Sequence, residues 1–281
     1  MPWLLRVPRF IQLTIPVPSD DRDFLNALPK DRRSQLRRVM AAGFHAVVSS
    51  DSSWAHLFYD RYHQPAVRRS HGDEGYVMSV EEIIDSVVRD GAEFLKIYLG
   101  SECVAAGTAL QVGDTYHLCR PGWLDGDPIW LRQGVQVARI WFAIQRARQL
   151  GCQFLALGGT PPFLNDGVFR FKLRWKPRLD LAGSRWGEHF LLMEPRHPDV
   201  QRFLADHPLL ASDSQGQLIL CTAGLSVDHN LSAHLHQQLH GIWRLVRPDQ
   251  AIAYGLPLRP TDGRPSGWFV AEAATQRPLD Q

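Results

Sequence analysis

Apolar and polar positions alternate with a period of two over residues 9–17: Ile11, Leu13 and Ile15 lie on one side, Phe10, Gln12 and Thr14 on the other. That is the period of a strand, and Pro16 and Pro18 close it. From residue 20 the period lengthens. Residues 20–43 read as helix with a break at Pro29, because proline cannot donate a helical hydrogen bond. In the second part Leu36, Val39 and Met40 share a face, and Gly43 supplies a stop. A short strand over 44–50 follows, then a helix over 52–63 and a polar loop from Gln64 to Gly75. Ser79 and Glu82 form a capping box ahead of Ile83, Ile84, Val87 and Val88, which predicts a helix over 79–90.

The strand period returns at residue 92. Residues 92–100, 103–113 and 115–120 read as three successive antiparallel strands, with Gly100-Ser101 and Gly113-Asp114 in the turns. A loop then leads into a long helix over 129–150, largely buried because Leu131, Val135, Ala138, Ile140, Trp141, Phe142 and Ile144 cover most of its surface. Gly151 ends it. The apolar run 152–159 is a buried strand, 160–167 a loop, 168–175 a short helix or turn and 187–195 a strand. Further on come a helix over 198–206, a strand over 217–224 and a helix over 231–246. About the last 20 residues, rich in Pro, Gly and polar groups, are expected to be poorly ordered. The sum is an α/β chain of the mixed α+β kind. A central, mainly antiparallel, twisted sheet is flanked by helices and contains one βαβ step.

At 281 residues and 44% hydrophobic composition, the chain can bury a core without a disulfide or metal staple. The four cysteines form no C-x-x-C pair, which argues against a zinc ribbon, an iron–sulfur cluster or a thioredoxin-like motif. His236 and His240 share a helical spacing near His234. No H-E-x-x-H and no third ligand accompany them, so no metal is expected. No apolar stretch reaches the roughly 18 to 20 residues that span a bilayer, and the N-terminus lacks a signal-peptide cleavage pattern. A cytoplasmic location is expected. Net charge is only +2, yet 27 of the 31 basic residues are arginine. A guanidinium fork matches phosphate oxygens, and Arg32, Arg33, Arg37 and Arg38 cluster on one predicted helix. Arg68, Arg69 and His71, in the loop bounded by Pro65 and Gly72, suit an anionic acceptor.

The order of elements, and the stretch GCQFLALGGTPPFLNDGVFRFKLRW, resemble the FemABX-like branch of the GNAT acyltransferase superfamily. The matching features are Gly151, the strand Phe154 to Leu157, Gly158-Gly159, Asp166-Gly167, Phe171-Lys172 and Trp175. Upstream, LPKDRRSQLRRVMAAGFHAVV is similar to that branch's opening element. The resemblance covers residues 20–195 and implies a GNAT-like domain over 1–195, with 196–281 as a C-terminal extension packing on it. It implies attack of an amine on an activated acyl carbonyl, with no cofactor and no dedicated nucleophile; the sequence holds no G-x-S-x-G elbow. Lys172 matches the Lys of the Phe-Lys element, with Phe171 beneath it on the donor side. Tyr116 and His117 fall where donor and acceptor meet in that fold: Tyr116 could donate to a carbonyl oxygen, and His117 could accept the amine proton. Strand alternation puts only one of them in a cleft. The chain departs from the GNAT phosphate loop Q/R-x-x-G-x-G/A, because Arg132-Gln133-Gly134 does not fit that spacing. That departure and the arginine cluster favour aminoacyl-tRNA as donor, with Arg32, Arg33, Arg37 and Arg38 binding it. The acceptor is then a cell-wall precursor or a small amine metabolite. An acyl-coenzyme A-dependent N-acyltransferase is the alternative, and a non-catalytic GNAT-like binding module a second one.

Overall fold

The computed structural model describes residues 3–180, 187–194, 197–212, 218–223, 238, 241–245 and 253–257. In chain order its strands and α-helices are β1 (Trp3–Pro8), β2 (Ile11–Pro16), α1 (Asp21–Ala27), α2 (Lys30–Ala41), β3 (Phe44–Ser49), α3 (Ala55–Phe58), α4 (Gln64–His71), α5 (Val80–Val88), β4 (Glu93–Leu99), β5 (Glu102–Val112), β6 (Thr115–Trp123), α6 (Pro128–Gln133), α7 (Val135–Gln149), β7 (Phe154–Thr160), α8 (Gly167–Leu173), β8 (Arg178–Asp180), β9 (Glu188–Met193), α9 (Pro198–Asp206), β10 (Leu209–Ser212), β11 (Leu218–Ala223), β12 (Gly241–Leu245) and β13 (Ala253–Pro257). They fall into two compact units. One is Thr14–Gly158; the other joins Met1–Leu13 to Gly159–Gln281. This differs from a division at residue 195. The cause is β1, which pairs antiparallel with β9 on one side and with β10 on the other.

In the unit Thr14–Gly158, β4, β5 and β6 form the expected antiparallel meander, β3 adds to it antiparallel beside β4, and β7 joins β6 in parallel. A parallel neighbour needs a crossover, and α7 is that crossover, packed on β3, β4, β5 and β6. Its buried face is wide: Val135, Val137, Ala138, Ile140, Trp141, Ala143, Ile144 and Ala147. A second cluster, including Phe58, Tyr62, Ile83, Val87 and Phe94, fills the space under α3 and α5. The capping box on α5 is present, with the Ser79 and Glu82 side chains each meeting the other's backbone N–H.

Two expectations in this unit are corrected. The single helix over 129–150 is two, because Gly134 takes a left-handed φ of +92° between α6 and α7. The loop Gln64–Gly75 is mostly helix. A π-helical turn, Tyr59–His63, carries α3 straight into α4. Pro65 follows the π turn directly, and Gly72 closes α4 at φ +59°.

The other unit carries a six-stranded sheet in the order β13-β12-β11-β10-β1-β9. Leu5, Val7, Leu204, Leu209, Ala211, Ile219 and Cys221 are at its core. The strand at 187–195 and the helix at 198–206 occur as β9 and α9. The helix expected over 231–246 does not extend through 241–245, which form β12 parallel to β11. His234, His236 and His240 lie outside the described residues.

Candidate functional site

The parallel pair β6–β7 is short. It holds Thr115↔Phe154, Tyr116↔Leu155 and His117↔Ala156, and there the ladder ends while β6 runs on to Trp123. On its other edge β6 shifts register against β5 between Gly107 and Ala109. A bulge bends a strand and re-aims its side chains. Beyond His117 the β6 backbone runs on past the β7 ladder, an edge to which an extended, amide-bearing ligand can add as a strand does.

Tyr116 and His117 are the last two β6 residues of this ladder, and their side chains take opposite faces. Tyr116 is fully buried, and its hydroxyl donates to Glu93 Oε1 at 2.6 Å. Arg146 on α7 grips the same carboxylate twice, at 2.9 and 2.8 Å. Burial, and then the bond to Glu93, push the Tyr116 phenol far above its ordinary range. Tyr116 is therefore corrected from a catalytic donor to a core residue: its proton is committed to Glu93, on the side covered by α7. His117, half-buried, faces the other way.

The arginines of α2 divide. Arg32 is completely buried and donates from Nη1 to Gln35 at 3.0 Å, so it does not belong to a donor-binding surface. Arg33 is half-buried and reaches the Asn26 carbonyl at 3.4 Å. Arg37 and Arg38 are exposed. Arg68, Arg69 and His71 are exposed on the last turns of α4, on a helix where a loop was expected. Arg69 lines an open cavity of about 570 Å³ together with Pro65, Asp125, Gly126, Asp127 and Pro128; Arg68 and His71 are not in its lining. Asp125 is held by Arg61, whose hydrogen bond keeps its carboxyl below the ordinary carboxylate range. Asp127 caps α6 by accepting from the Ile129 N–H at 2.8 Å. Thus α6 and two carboxylates occupy the connection between β6 and α7.

Lys172 and Phe171 belong to the other unit, on α8. Asp166 caps that helix by accepting from the Phe169 N–H at 2.7 Å, and Phe169 and Trp175 are fully buried. Lys172 Nζ donates to the Gly159 carbonyl at 3.1 Å, fastening α8 to the end of β7. Phe171 is half-buried.

Sequence reasoning missed His63. It is 1% exposed, its Nδ1 lies 3.1 Å from the Pro121 carbonyl, and its Nε2 accepts from the Met78 N–H at 3.3 Å. This pattern fits the neutral ring with the proton on Nδ1. The signal was weak because nothing in YDRYHQP marks a π turn. Burial pushes the His63 pKa below 6.5. The unfolded chain then binds more protons than the folded one just below that pH, so stability falls as pH drops through about 6.5 toward the lowered value. Unfolding free energies measured from pH 7.5 to 5 should show a steeper loss in the wild type than in His63→Gln. Identical slopes would remove His63 as the cause.

The sequence model of the family described as Acetyltransferase (GNAT) domain matches residues 30–173, half of the chain, from the first residue of α2 to the last of α8. The chain belongs to this family. The parting strands β6 and β7 and the crossover α7 lie inside the GNAT match. No curated protein matches the chain. Among solved structures, FemX is similar at 13% identity and a TM-score of 0.49, over 65% of this chain and 61% of that one. The C-terminal domain of a putative lysylphosphatidylglycerol synthetase from Agrobacterium fabrum is 13% identical, with a TM-score of 0.43, over 68% and 61%. L-PGS from Bacillus licheniformis is 12% identical, with a TM-score of 0.45, over 70% and 64%. The GNAT chain therefore spans less than two thirds of each of these. No helix among the described residues is long and apolar enough to cross a membrane.

Proposed function

We propose that the protein is an amide-forming transferase that moves an aminoacyl group from aminoacyl-tRNA to an amine acceptor. The acceptor class is a cell-wall precursor or a small amine metabolite. In the step, the amine nitrogen bonds to the ester carbonyl and the ester C–O bond breaks. The amine proton passes to a base, and the departing ribose oxygen takes up a proton. Such a donor is already activated, so the protein's task is orientation and charge stabilisation. His117, turned away from the core at the parting of β6 and β7, is the candidate base. Lys172, the lysine of the Phe-Lys element on α8, is the candidate partner for a phosphate or carbonyl oxygen.

The observation that carries the donor choice is the β6–α7 connection. A coenzyme A pyrophosphate needs a cradle of backbone N–H groups on a glycine-rich loop. Here a proline-started helix, α6, and the carboxylates of Asp125 and Asp127 occupy that connection. An acyl-coenzyme A donor is the second reading, favoured by the acetyltransferase family match. The test is a pair of titrations, one with a non-hydrolysable aminoacyl-tRNA mimic and one with acetyl- and long-chain acyl-coenzyme A. Tight, salt-sensitive binding of the mimic alone supports the proposal. Binding of a coenzyme A ester alone replaces it with the second reading, and binding of neither favours a non-catalytic module.

On the tRNA reading, the exposed Arg37 and Arg38 contact phosphates. Charge reversal in Arg37→Glu/Arg38→Glu should weaken mimic binding by roughly tenfold or more. It should also flatten the slope of log K against log salt by about one per lost contact. An unchanged slope would take α2 out of the donor site.

A further inference from the structure

Two arginines lie seven residues apart on α7, two turns along the same helical face. Their surroundings differ. Arg146 has a carboxylate, gripped twice by its guanidinium. Arg139 has none among the described residues. It is 8% exposed, its Nε donates to the Gln136 side chain at 3.0 Å, and its Nη1 is buried with no hydrogen-bond partner among the described residues. A buried charge left without an opposite charge is costly to the fold. Among the described residues a carboxylate answers this problem at Arg146 and none does at Arg139.

The surroundings show where a counter-charge could come from. Nη1 lies 3.4 Å from the point a Cβ on Gly107 would occupy, and the Arg120 carbonyl lies 2.7 Å from that same point. Gly107 sits where the β5–β6 register shifts. The guanidinium therefore rests against the bulge, in space that any side chain at 107 would crowd. The neighbouring bulge residue Cys119 is exposed and within electrostatic reach of Arg139, so the buried charge lies close to a solvent-facing stretch of β6. Burial pushes the Arg139 pKa down to about 10, which still leaves the group charged at neutral pH.

We propose that Arg139 is the floor of a binding site for a small oxyanion, the phosphate or carboxylate group of a substrate, which enters at the β5–β6 bulge and supplies the missing counter-charge. The site stands whichever acyl donor the protein uses. A group kept for binding at the expense of folding leaves a recognisable signature. Arg139→Met keeps the unbranched stem and most of the bulk of the side chain, is shorter, and removes the charge.

The experiment compares wild type and Arg139→Met by thermal unfolding and by calorimetric titration with inorganic phosphate and, separately, acetate, at fixed ionic strength. The wild type is expected to bind at least one of the two anions saturably, and the one that binds separates a phosphate site from a carboxylate site. Arg139→Met is expected to weaken that binding by at least tenfold, and to melt at a higher temperature than wild type in anion-free buffer. A variant that melts lower, or does not fold, would show that the guanidinium is a structural element of the core and overturn the proposal. So would an anion affinity unchanged in the variant, or a wild type that binds neither anion. Neither probe contains an acyl group, so failure here is separate from failure of the donor titrations.

Discussion

Glu93→Ala is expected to cost about 2–3 kcal/mol of unfolding free energy, below the roughly 3–5 kcal/mol for breaking a fully buried ion pair from one side, because the Arg146 side chain keeps 27% of its surface in solvent. Glu93 is 9% exposed and serves two partners at once, the Tyr116 hydroxyl and the Arg146 guanidinium. These partners join β4, β6 and α7, which together form the centre of the GNAT sheet and its crossover helix. Removing the carboxylate leaves a phenol and a guanidinium facing a void with no acceptor between them. Tyr116→Phe should be milder, about 1–2 kcal/mol, because it deletes one hydrogen bond and leaves the ion pair in place. The two effects should not add, since both variants break the same bond. Urea unfolding of the two single variants and the double variant measures this. A loss under about 1 kcal/mol for Glu93→Ala would mean the network is solvated in solution and does not brace the sheet.

The second large effect is expected at Gly122. A Cβ there would lie 2.6 Å from the Tyr62 carbonyl carbon and 2.9 Å from the His63 nitrogen, both backbone atoms that cannot swing aside. Gly122→Ala must therefore push β6 away from the π turn. Overpacking of a filled interior costs about 1–3 kcal/mol and sometimes more, and a clash with main chain belongs at the upper end. Displacement of this turn also loosens His63, whose ring is fixed by the Pro121 carbonyl and the Met78 N–H. Gly122→Ala should thus lower the melting temperature and also flatten the acid-side loss of stability ascribed to His63. A full-stability Gly122→Ala variant would show that β6 and the turn are further apart than described.

Much of the fold was legible because its residues obey one period at a time. The β4–β5–β6 meander announces itself by two-residue alternation and by glycines at positive φ in its turns, Gly100 and Gly113. The capping box of α5 is a local signal with a local cause. What escaped reading depends on partners distant in sequence. Trp3–Pro8 alternates buried Leu5 and Val7 with exposed Arg6, but prolines and arginines hide the pattern until β9 and β10 are placed beside it. Gly241–Leu245 is a strand because β11 and β13 flank it. At the candidate site, the family resemblance located the right strand, β6, yet residue type could not tell Tyr116 from His117 in role. Only Glu93, buried and held by Arg146, decides which of the two faces the core. In the same way Arg32 looked like one more member of a basic cluster, and a single position on α2 turns it inward.

The pairing of β1 orders events during synthesis. The ribosome makes Trp3–Pro8 well before the strands on either side of it, β9 and β10, which span residues 188–193 and 209–212. The stretch Thr14–Gly158 is continuous in the chain and can become compact as it emerges. The first strand must wait, unpaired, until nearly two hundred more residues have been added. Loop closure over that separation is slow, so a nascent chain stalled before residue 188 should be cut by protease within the open stretch Trp3–Pro8 and not within the unit Thr14–Gly158.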